Sequence, residues 1–524
     1  MIPMSRSFRS LAAATFCACG LAAPAAAQLR VAMWNISNYG GPGARDPQFQ
    51  TAIYGSYQSR SMAPDIFLAE EITAPAGAGG VLAILNGAPG SPGDWAQATF
   101  ITGPDTNLVF NYRTSKVQFL GQTLVLAGGD INGAPRDIRR YDVRLAGYSS
   151  AGATLSIYGD HMKSGSTAAD QARRLIEATA IRNDADARPA GWQIIVAGDF
   201  NIQASTQAAY QQLIGSMNNN RGRFFDPINT PGSWNNNSAF AIVHTQAPGG
   251  NPSNTGGMDD RLDFILLGGE LINGDGFDYI GNPSLPYSTS TWNDPNHSYR
   301  SWGNDGSFFN GTINVTTNAM VGPAIATAIK ATCDTDTAGG HLGVFLDLRV
   351  PPVAGSPVEI DFGSVPQNSL AQQTLTVTNE GDVGKWTAAG IASLSYSLEP
   401  SAGLTAPAGM FVAPAGGTGN DHTITLDTSA VGPFSGAITI HSNSPDEPAR
   451  MVMVTGTVAA ASTCYANCDG STTPPVLNVL DFACFINLYG TGNPDANCDH
   501  STTPPVLNVL DFACFINAFF SGCT

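Results

Sequence analysis

The stretch IIVAGDFN, residues 194–201, begins as a buried strand and ends in polar side chains. Its first residues are mostly apolar or β-branched, which is typical of a strand covered on both faces. Asp199 and Asn201 then follow Gly198, two positions apart. Side chains with this spacing in an extended segment point the same way. The stretch therefore predicts a carboxylate and a carboxamide side by side at the end of a buried strand.

Strand-like runs recur from residue 28 to about residue 350 and alternate with helical or loop segments. Thr167 followed by Asp170 is typical of a helix start. Because several of the runs are continuously apolar, we expect sheets that are covered on both faces, which is a layered α/β domain. The strand-like runs are residues 29–36, 65–72, 108–113, 154–162, 192–200 and 261–268.

Polar residues stand at the ends of further strand-like runs. Each is ambiguous alone, since Asn at a strand end is usually a turn former and Glu a solvated residue at the rim. Asp263 is different, because it lies inside the apolar run RLDFILL. Burying an unpaired carboxylate is costly, so we expect a buried Arg or His beside it. The polar residues at these strand ends are Asn35, Glu71, His161, Asp263 and His341.

Taken together, these residues resemble the motifs of the endonuclease/exonuclease/phosphatase superfamily, which contains the DNase I-like nucleases and the abasic-site endonucleases. The resemblance covers residues 29 to about 350. It implies a four-layer α/β sandwich that gathers its strand ends around one or two Mg²⁺ or Mn²⁺ ions. The matching motifs are Trp34-Asn35, Pro64-Asp65 through Glu71, His161 with Lys163 and Gly165, Gly198-Asp199-Phe200-Asn201, and Arg261-Leu262-Asp263-Phe264.

The resemblance also implies a role for each residue. Glu71 would be the principal metal ligand, with Asn35 beside it, because oxygen ligands suit a hard cation that keeps several waters. Asp199 would ligate the metal or orient the attacking water, and Asn201 would hold the phosphate. His341 would act on the water or a phosphoryl oxygen, with its tautomer fixed by Asp263. His161 would donate to a phosphate oxygen or to the leaving group.

One position departs from the family pattern. Gly340 precedes His341, where the family usually has an aspartate that supports the metal or the water. Three interpretations follow from this departure. The metal is held by Glu71, Asn35 and Asp199 alone, or activity has been lost, or a loop acid substitutes. The candidate loop acids are Asp334, Asp336 and Asp260.

Composition narrows the classes of function. The chain has 524 residues and a formal net charge of −17, so it does not bind nucleic acid passively through a basic face. If it acts on phosphate esters, metal ions must supply the positive charge. Residues 1–27 read as a secretory signal peptide, with Arg6 and Arg9 before a short apolar run and small residues before Gln28. No later stretch approaches about 18 uninterrupted apolar residues, so we expect no transmembrane segment and a secreted or cell-surface protein.

A second region begins at Pro351-Pro352. Residues 351–459 have almost no helical signal and several alternating runs, which predict a β-sandwich. The region resembles the ASPM–SPD-2–Hydin-like immunoglobulin (Ig-like) modules. No chemistry is visible in it, so a spacer or adhesion role is expected.

Residues 460–524 contain an internal repeat. Residues 466–487 recur as residues 496–517 with one change, Gly470 to His500. The pair resembles a Cys-containing dockerin, a small α-helical EF-hand-like repeat pair, which implies Ca²⁺ sites and a cohesin-like or cell-surface receptor. The candidate Ca²⁺ ligands are Asn467, Asp469, Ser471, Asn478 and Asp481 in the first copy, and Asn497, Asp499, Ser501, Asn508 and Asp511 in the second.

The repeat admits an alternative without metal. Each loop is longer than an ordinary EF-hand loop and lacks its central Gly. A pair of units held together by disulfides would need no cation. Six cysteines allow many pairings, but three pairs respect the repeat. These pairs are Cys468 with Cys484, Cys498 with Cys514, and Cys464 with Cys523.

The sequence thus predicts an exported, Mg²⁺- or Mn²⁺-dependent phosphodiesterase, a nuclease that hydrolyses extracellular DNA or RNA, displayed through its C-terminal modules. Two alternatives stay open at this point. One is a phospholipid or sugar phosphate esterase on the same core. The other is a surface binding protein on a catalytically decayed fold, for which Gly340 is the best argument.

Overall fold

The computed structural model describes residues 28–250, 257–333, 336–460, 464–471 and 473–522. The predicted signal peptide and Asp334 lie outside these ranges. Among the described residues, no helix combines the length and the apolar character that crossing a bilayer requires.

The first part of the chain alternates strands with helices, as the sequence predicts. Its strands are β1 (Leu29–Tyr39), β2 (Ile66–Ile72), β3 (Trp95–Gln97), β4 (Asn107–Arg113), β5 (Val117–Leu126), β6 (Ile138–Leu145), β7 (Thr154–Gly159), β8 (Gln193–Asp199), β9 (Phe224–Phe225), β10 (Asp263–Gly268), β11 (Asp278–Tyr279), β12 (Arg300–Ser301) and β13 (Val344–Arg349). Its helices are α1 (Asp46–Tyr54), α2 (Pro75–Gly87), α3 (Ala168–Asp186), α4 (Ala208–Ile214) and α5 (Gly322–Thr332). Short 3₁₀ helices lie at Ala151–Ala153, Ser238–Val243 and Gly269–Leu271.

These strands form two mixed sheets. The first has the order β11-β13-β1-β2-β4-β3, with β12 also paired to β13. The second has the order β5-β6-β7-β8-β10-β9. In each sheet a central parallel pair, β1 with β2 and β7 with β8, is flanked by an antiparallel strand, β13 or β10. The parallel strands therefore end at the edge where their antiparallel neighbours begin.

Three apolar cores separate the layers. One core lies between the two sheets and contains side chains from both, such as Met33 and Ile195. A second core covers the outer face of the first sheet with α1, α2 and α5, and a third covers the outer face of the second sheet with α3 and α4. The order helix, sheet, sheet, helix confirms the predicted four-layer α/β sandwich. The predicted start of α3 is also confirmed, since Thr167 and Asp170 form a capping box.

Residues 354–459 form two further sheets around one shared core. The sheets have the orders β14-β16-β20-β18 and β15-β22-β21-β17-β19. The strands are β14 (Ala354–Gly355), β15 (Glu359–Pro366), β16 (Ala371–Asn379), β17 (Leu394–Pro400), β18 (Leu404–Thr405), β19 (Phe411–Ala413), β20 (Asn420–Leu426), β21 (Gly432–Ser442) and β22 (Ala449–Ala459), with a short helix α6 (Val383–Trp386) and a 3₁₀ turn at Ala388–Gly390. This arrangement is a β-sandwich.

The sandwich packs against the first domain. Trp386, 1% exposed, belongs to the apolar core between the first domain's two sheets, together with Ile391 and Ala415. The Nζ of Lys116 lies 4.3 Å from the centre of the Trp386 ring. Asp446 accepts hydrogen bonds from the backbone of residues 149 and 150. The two regions therefore share buried surface across the predicted boundary at residues 350 and 351.

The repeat region consists of two helices, α7 (Val479–Gly490) and α8 (Val509–Ser521), with a 3₁₀ turn at Pro494–Ala496 between them. The rings of Phe485 and Phe515 stack with their centroids 4.1 Å apart. Disulfides join Cys468 to Cys484 and Cys498 to Cys514, as predicted, and such bonds are typical of an oxidising compartment. The third predicted pair includes Cys523, which lies outside the described residues.

Candidate active site

The predicted polar residues converge at one edge of the two central sheets. Asn35 and Glu71 lie near the ends of β1 and β2, and Asp199 is the last residue of β8. Asp263, the first residue of β10, is the register partner of Asp199. His161 follows β7, and His341 precedes β13. The strand directions bring these six side chains together because the parallel strands end where the antiparallel ones begin.

Asp199 is the centre of this cluster. Its carboxylate is 2% exposed, and its Oδ2 accepts a hydrogen bond of 3.2 Å from Asn35 Nδ2. The same oxygen lies 3.5 Å from His161 Nε2 and 3.6 Å from His341 Nε2. Burial raises the pKa of Asp199 to about 7, although the charge of His341 opposes the shift. Asp199 is therefore able to accept a proton near neutral pH.

Asp263 holds His341. The Nδ1 of His341 lies 2.9 Å from Asp263 Oδ2, and the carboxyl group of Asp263 is fully buried. Burial alone would lower the pKa of His341, but the charges of Asp263 and Asp199 outweigh it and hold that pKa well above its usual value. The predicted partner of the buried Asp263 is thus found, and the pair favours the protonated form of the imidazole.

His161 has the opposite protonation preference. It is 4% exposed, and its Nδ1 has no hydrogen-bond partner among the described residues. Burial, together with the nearby charges of Arg136 and His341, holds its pKa well below the usual value. The site therefore contains one cationic and one neutral imidazole, each within 3.6 Å of the same carboxylate oxygen.

Glu71 owes its position to an irregularity in β2. The register between β2 and β4 shifts between Ala69 and Ile72, and Glu71 has a φ of +61°. Such a bulge re-aims a side chain at the end of a strand. Its carboxylate, 17% exposed, accepts hydrogen bonds from Asn35 Nδ2 at 3.0 Å and from the backbone N–H of Asn38 at 2.9 Å. Glu71 is thus fixed at the rim of the site.

The bulge also places Glu70 beneath the site, and the sequence analysis did not predict this residue. Glu70 is fully buried, and its Oε2 accepts the backbone N–H of Asp199 at 2.9 Å. Burial and the charge of Asp199 hold the pKa of Glu70 well above its usual value. The only sequence signal was the doubled glutamate at the end of an apolar strand.

A second buried carboxyl pair lies close by and was also missed. Asp160 and Glu177 are fully buried, and neither oxygen of Asp160 has a hydrogen-bond partner among the described residues. Glu177 Oε2 accepts the backbone N–H of Lys163 at 3.1 Å. Burial raises the pKa of Glu177 to about 7, and burial together with the charge of Glu177 holds the pKa of Asp160 well above its usual value. These groups lie below the segment that carries His161.

Asn201 lies beyond the end of its strand. β8 ends at Asp199, and Asn201 has a φ of +51°. Its backbone N–H donates to Asp199 Oδ1 at 3.0 Å, and its Nδ2 donates to the carbonyl of Met162 at 3.2 Å. The two residues are therefore related by a tight turn that buttresses the Asp199 carboxylate, and the Asn201 amide ties β8 to the loop after β7.

The structure explains Gly340. Its φ is +70°, and an added Cβ would lie 2.4 Å from the Sγ of Cys333. An aspartate at this position would therefore require Cys333 to move. Of the proposed substitute acids, Asp260 accepts from Asn235 Nδ2 through Oδ2 at 3.0 Å while its buried Oδ1 has no partner among the described residues, and Asp336 Oδ1 accepts from the backbone N–H of Ala338 at 2.8 Å.

The donor set suits a weakly held hard cation. Among the described residues, no three His, Cys, Asp or Glu side chains form a ready-made metal cluster. Mg²⁺, however, needs only one or two carboxylates when it keeps waters and takes a substrate phosphate as a ligand. Glu71 is the partly exposed carboxylate of the site, and buried oxygens of Glu70 and Asp263 have no hydrogen-bond partner in the described part of the chain. Asn35 turns its Nδ2 toward Glu71 and its Oδ1 toward the N–H of Ser37, so it orients Glu71.

The two repeat loops have a common geometry. Asp481 is fully buried and accepts the backbone N–H groups of Asp469 and Asn478, and Asp511 does the same with Asp499 and Asn508. Ser471 and Ser501 close each loop through their hydroxyl groups. The buried Oδ1 atoms of Asn467 and Asn497 have no partner among the described residues. Each loop therefore offers an unpaired oxygen, while its aspartate is already held by the backbone.

Fold and site together define the class of molecule: an α/β sandwich whose strand ends carry a cluster of carboxylates and histidines. Similar solved structures include an endonuclease/exonuclease/phosphatase family protein from Bacteroides thetaiotaomicron, at 13% identity and a TM-score of 0.33, covering 61% of this chain and 94% of that one. The human Nocturnin catalytic domain with bound sulfate is 13% identical, with a TM-score of 0.33, over 62% of this chain and 96% of that one.

A third similar structure is that of D. rerio TDP2 complexed with single strand DNA product, at 14% identity and a TM-score of 0.34, covering 62% of this chain and 99% of that one. At such identities and scores, none of these likenesses assigns an activity to this chain. No protein-family model matches the chain, and no curated protein matches it at a significant level.

Proposed function

We propose that the protein is a secreted, divalent-cation-dependent phosphodiesterase that hydrolyses extracellular nucleic acid. The observation that carries the proposal is the convergence of His161, His341 and Asn35 on Asp199 Oδ2, within 3.2 to 3.6 Å. This arrangement combines a proton acceptor, a fixed cation and a neutral donor at one rim. General base catalysis and stabilisation of negative charge by such groups accelerate the attack of water on a phosphodiester.

Each residue of the cluster has a distinct role in the proposed hydrolysis. Asp199, whose pKa is about 7, accepts the proton of the attacking water. His341, kept cationic by Asp263, stabilises negative charge on the phosphoryl oxygens. His161, held neutral, donates a hydrogen bond to a phosphoryl oxygen or to the leaving-group oxygen, which takes its proton from solvent. Glu71 would hold a Mg²⁺ or Mn²⁺ ion, which would neutralise charge developing on the phosphate.

Nucleic acid is the proposed substrate because of the expected location of the protein, and the charge of the chain determines how such a substrate would bind. The chain has a net charge of −17, so binding of a polyanion has to rely on divalent ions and on the local cations of the site. Arg136 is one such cation, with its Nη1 3.4 Å from the carbonyl of His161. The two disulfides agree with export, and an exported enzyme meets extracellular rather than genomic nucleic acid.

We propose further that the repeat region attaches the enzyme to a cohesin-like or cell-surface receptor, and that Ca²⁺ binds its loops. The unpaired Oδ1 atoms of Asn467 and Asn497 support a cation in each loop. Ca²⁺ binding would raise the thermal stability of the repeat region, which melting curves with and without EDTA would detect. Absence of any shift would leave the disulfides as the sole cross-links.

The test of the enzymatic proposal uses the full chain. Plasmid DNA, RNA, bis(4-nitrophenyl) phosphate and sphingomyelin are incubated with Mg²⁺, Mn²⁺ or EDTA. We expect hydrolysis of nucleic acid that EDTA abolishes and that Glu71→Gln and His341→Ala each reduce by at least about 100-fold. Glu270→Gln changes an exposed glutamate of the same domain outside the site and serves as the matched control.

Each alternative has its own outcome in this experiment. Hydrolysis of sphingomyelin but not of nucleic acid would identify a phospholipid esterase. Activity that resists EDTA, or that survives both substitutions, would reject the proposed site. No hydrolysis of any phosphoester would favour the decayed binding protein.

A further inference from the structure

A cavity of about 330 Å³ opens on the first domain at some distance from the active site. Gln28 and Arg30 line it, at the start of β1, whereas Asn35 stands five residues further along the strand. At about 3.3 Å per residue, that separation is roughly 16 Å. The cavity is therefore a separate feature, and its volume is within the range of small-molecule sites.

Positive charge dominates the lining. Arg30, Arg60 and Arg300 contribute three guanidinium groups, and Asp347 is the single carboxylate of the lining. Asp347 is already paired with Arg30, through bonds of 2.7 and 2.9 Å. Among the described residues, Arg60 and Arg300 have no carboxylate partner. Two uncompensated cations in one cavity are unusual in a chain with a net charge of −17.

Both of these arginines are held rigidly, and each retains free donors. Arg60 donates from Nε to the carbonyl of Met320 at 3.0 Å and from Nη2 to the carbonyl of Ala319 at 2.9 Å, while its Nη1 has no partner in the described structure. Arg300 Nη1 donates to the carbonyls of His297 and Tyr299 at 2.6 and 2.7 Å, and its Nε is likewise unused among the described residues. Prepositioned donors lose little entropy when an anion binds.

An aromatic wall adjoins these donors. Trp292 is half-buried, and the guanidinium carbon of Arg60 lies 4.9 Å from the centre of its ring. Trp302 and Phe345, both buried, complete the apolar side of the lining. The cavity thus combines fixed anion donors with a flat apolar surface, which suits a ligand having both an oxyanion and a planar ring.

We propose that this cavity binds a small oxyanion carried on a planar ring, of which a nucleoside monophosphate is a representative. The Nη1 of Arg60 and the Nε of Arg300 bind the oxyanion, and the planar ring packs against the side chain of Trp292. The site is independent of the proposed hydrolytic activity, because it shares no residue with the cluster around Asp199.

Isothermal titration calorimetry in EDTA tests the proposal, with AMP, inorganic phosphate and adenosine as separate probes. We expect one equivalent of AMP to bind more tightly than phosphate or adenosine. Arg60→Gln should weaken AMP and phosphate roughly tenfold or more, since a charge-assisted hydrogen bond is lost. Trp292→Leu should weaken AMP by a similar factor and leave phosphate unchanged. Arg450→Gln, in the distant β-sandwich, is the matched control.

A further variant distinguishes binding of AMP in the cavity from binding of AMP in the active site. AMP affinity that is unchanged in His341→Ala and reduced in Arg60→Gln places the ligand in the cavity. The reverse pattern, or no binding of AMP, overturns the proposal, and AMP that binds no more tightly than phosphate overturns the recognition of a ring. If Arg60→Gln lowers the melting temperature of the protein, Arg60→Lys replaces it in the test. Lysine keeps the positive charge but lacks the planar guanidinium, so the affinity of Arg60→Lys for AMP should lie between those of wild type and Arg60→Gln.

Discussion

At the scale of single residues, the site depends on pKa values that the environment has moved in opposite directions. His161 and His341 are both close to Asp199 Oδ2, yet burial keeps the first neutral and Asp263 keeps the second charged. The 2.9 Å pair between His341 Nδ1 and Asp263 Oδ2 makes the largest favourable contribution to this difference, and the charge of Asp199 adds to it. Two identical side chains thereby acquire different chemical roles.

Asp263→Asn tests this pairing. The amide keeps the shape of the side chain but removes the charge that keeps His341 protonated, so we expect phosphodiester hydrolysis to fall by at least about 100-fold. The pH range over which activity persists should also contract on its alkaline side, because the pKa of His341 falls. Rates on bis(4-nitrophenyl) phosphate across pH check both effects. Asp278→Asn, a buried aspartate outside the site, should retain the wild-type profile.

Glu177→Gln tests the buried carboxyl pair through stability. The folded-state pKa of Glu177 is raised from 4.5 to about 7, so its contribution to stability is fully present below pH 4.5 and is lost as the pH rises through 7. Wild-type protein should therefore lose about 2–3 kcal/mol from this group between pH 4.5 and 7, with little further change above pH 8. Glutamine at position 177 cannot ionise, so the unfolding free energy of the variant, measured with urea, should change less with pH than that of wild type. Identical pH slopes in the variant and in wild type would contradict this origin.

At the scale of elements, short irregular segments place the functional groups. The strand β2 alone would alternate its side chains, but the bulge turns Glu71 to the rim and leaves Glu70 beneath Asp199. The turn after β8 lets Asn201 brace Asp199. The turn before β13 needs Gly340 in a left-handed conformation against Cys333.

Gly340→Ala measures the contact with Cys333. The substitution places a Cβ in a left-handed backbone and 2.4 Å from Sγ, so strain and overpacking add. Gly93 has nearly the same φ, +71°, and nothing lies within 4 Å of an added Cβ. Gly93→Ala therefore measures the free-energy cost of backbone strain alone. We expect Gly93→Ala to cost about 1 kcal/mol and Gly340→Ala about 2–4 kcal/mol in chemical unfolding. Equal losses of unfolding free energy in the two variants would mean that the Cys333 side chain moves away without cost.

The sequence predicted regular elements better than irregular ones, for physical reasons. Continuous apolar runs and the Thr167 capping box are local patterns, so the strands, α3 and the layered core could be inferred from them. The partner of Asp263 could be inferred because a buried carboxylate needs one. Glu70, Asp160 and Glu177 could not be found, because their burial depends on how the two sheets meet and on how α3 packs against the second sheet, which no local pattern records.

At the scale of the whole molecule, the modules are joined by shared core rather than by a free linker. Trp386 of the β-sandwich fills the core between the first domain's sheets, beneath Lys116.

Trp386→Ala tests this coupling. Removing a fully buried indole should destabilise the first domain by about 3–5 kcal/mol, although the residue lies in the second. Ile424→Ala, inside the sandwich core, is the matched control and should lower only the melting of the sandwich. Calorimetry of the full chain, with proteolysis to assign each transition, distinguishes the two. A Trp386→Ala protein whose first domain melts as in wild type would show that the contact is incidental.

The buried Trp386 has a consequence for how this protein can be cut and recombined. A fragment ending at residue 350 would expose the apolar surface that Trp386 and Ile391 now cover, and exposed surface of this kind promotes aggregation. The smallest portable unit that keeps the first domain intact therefore includes the β-sandwich. A fusion that replaces the sandwich with another module would have to cover the same apolar surface.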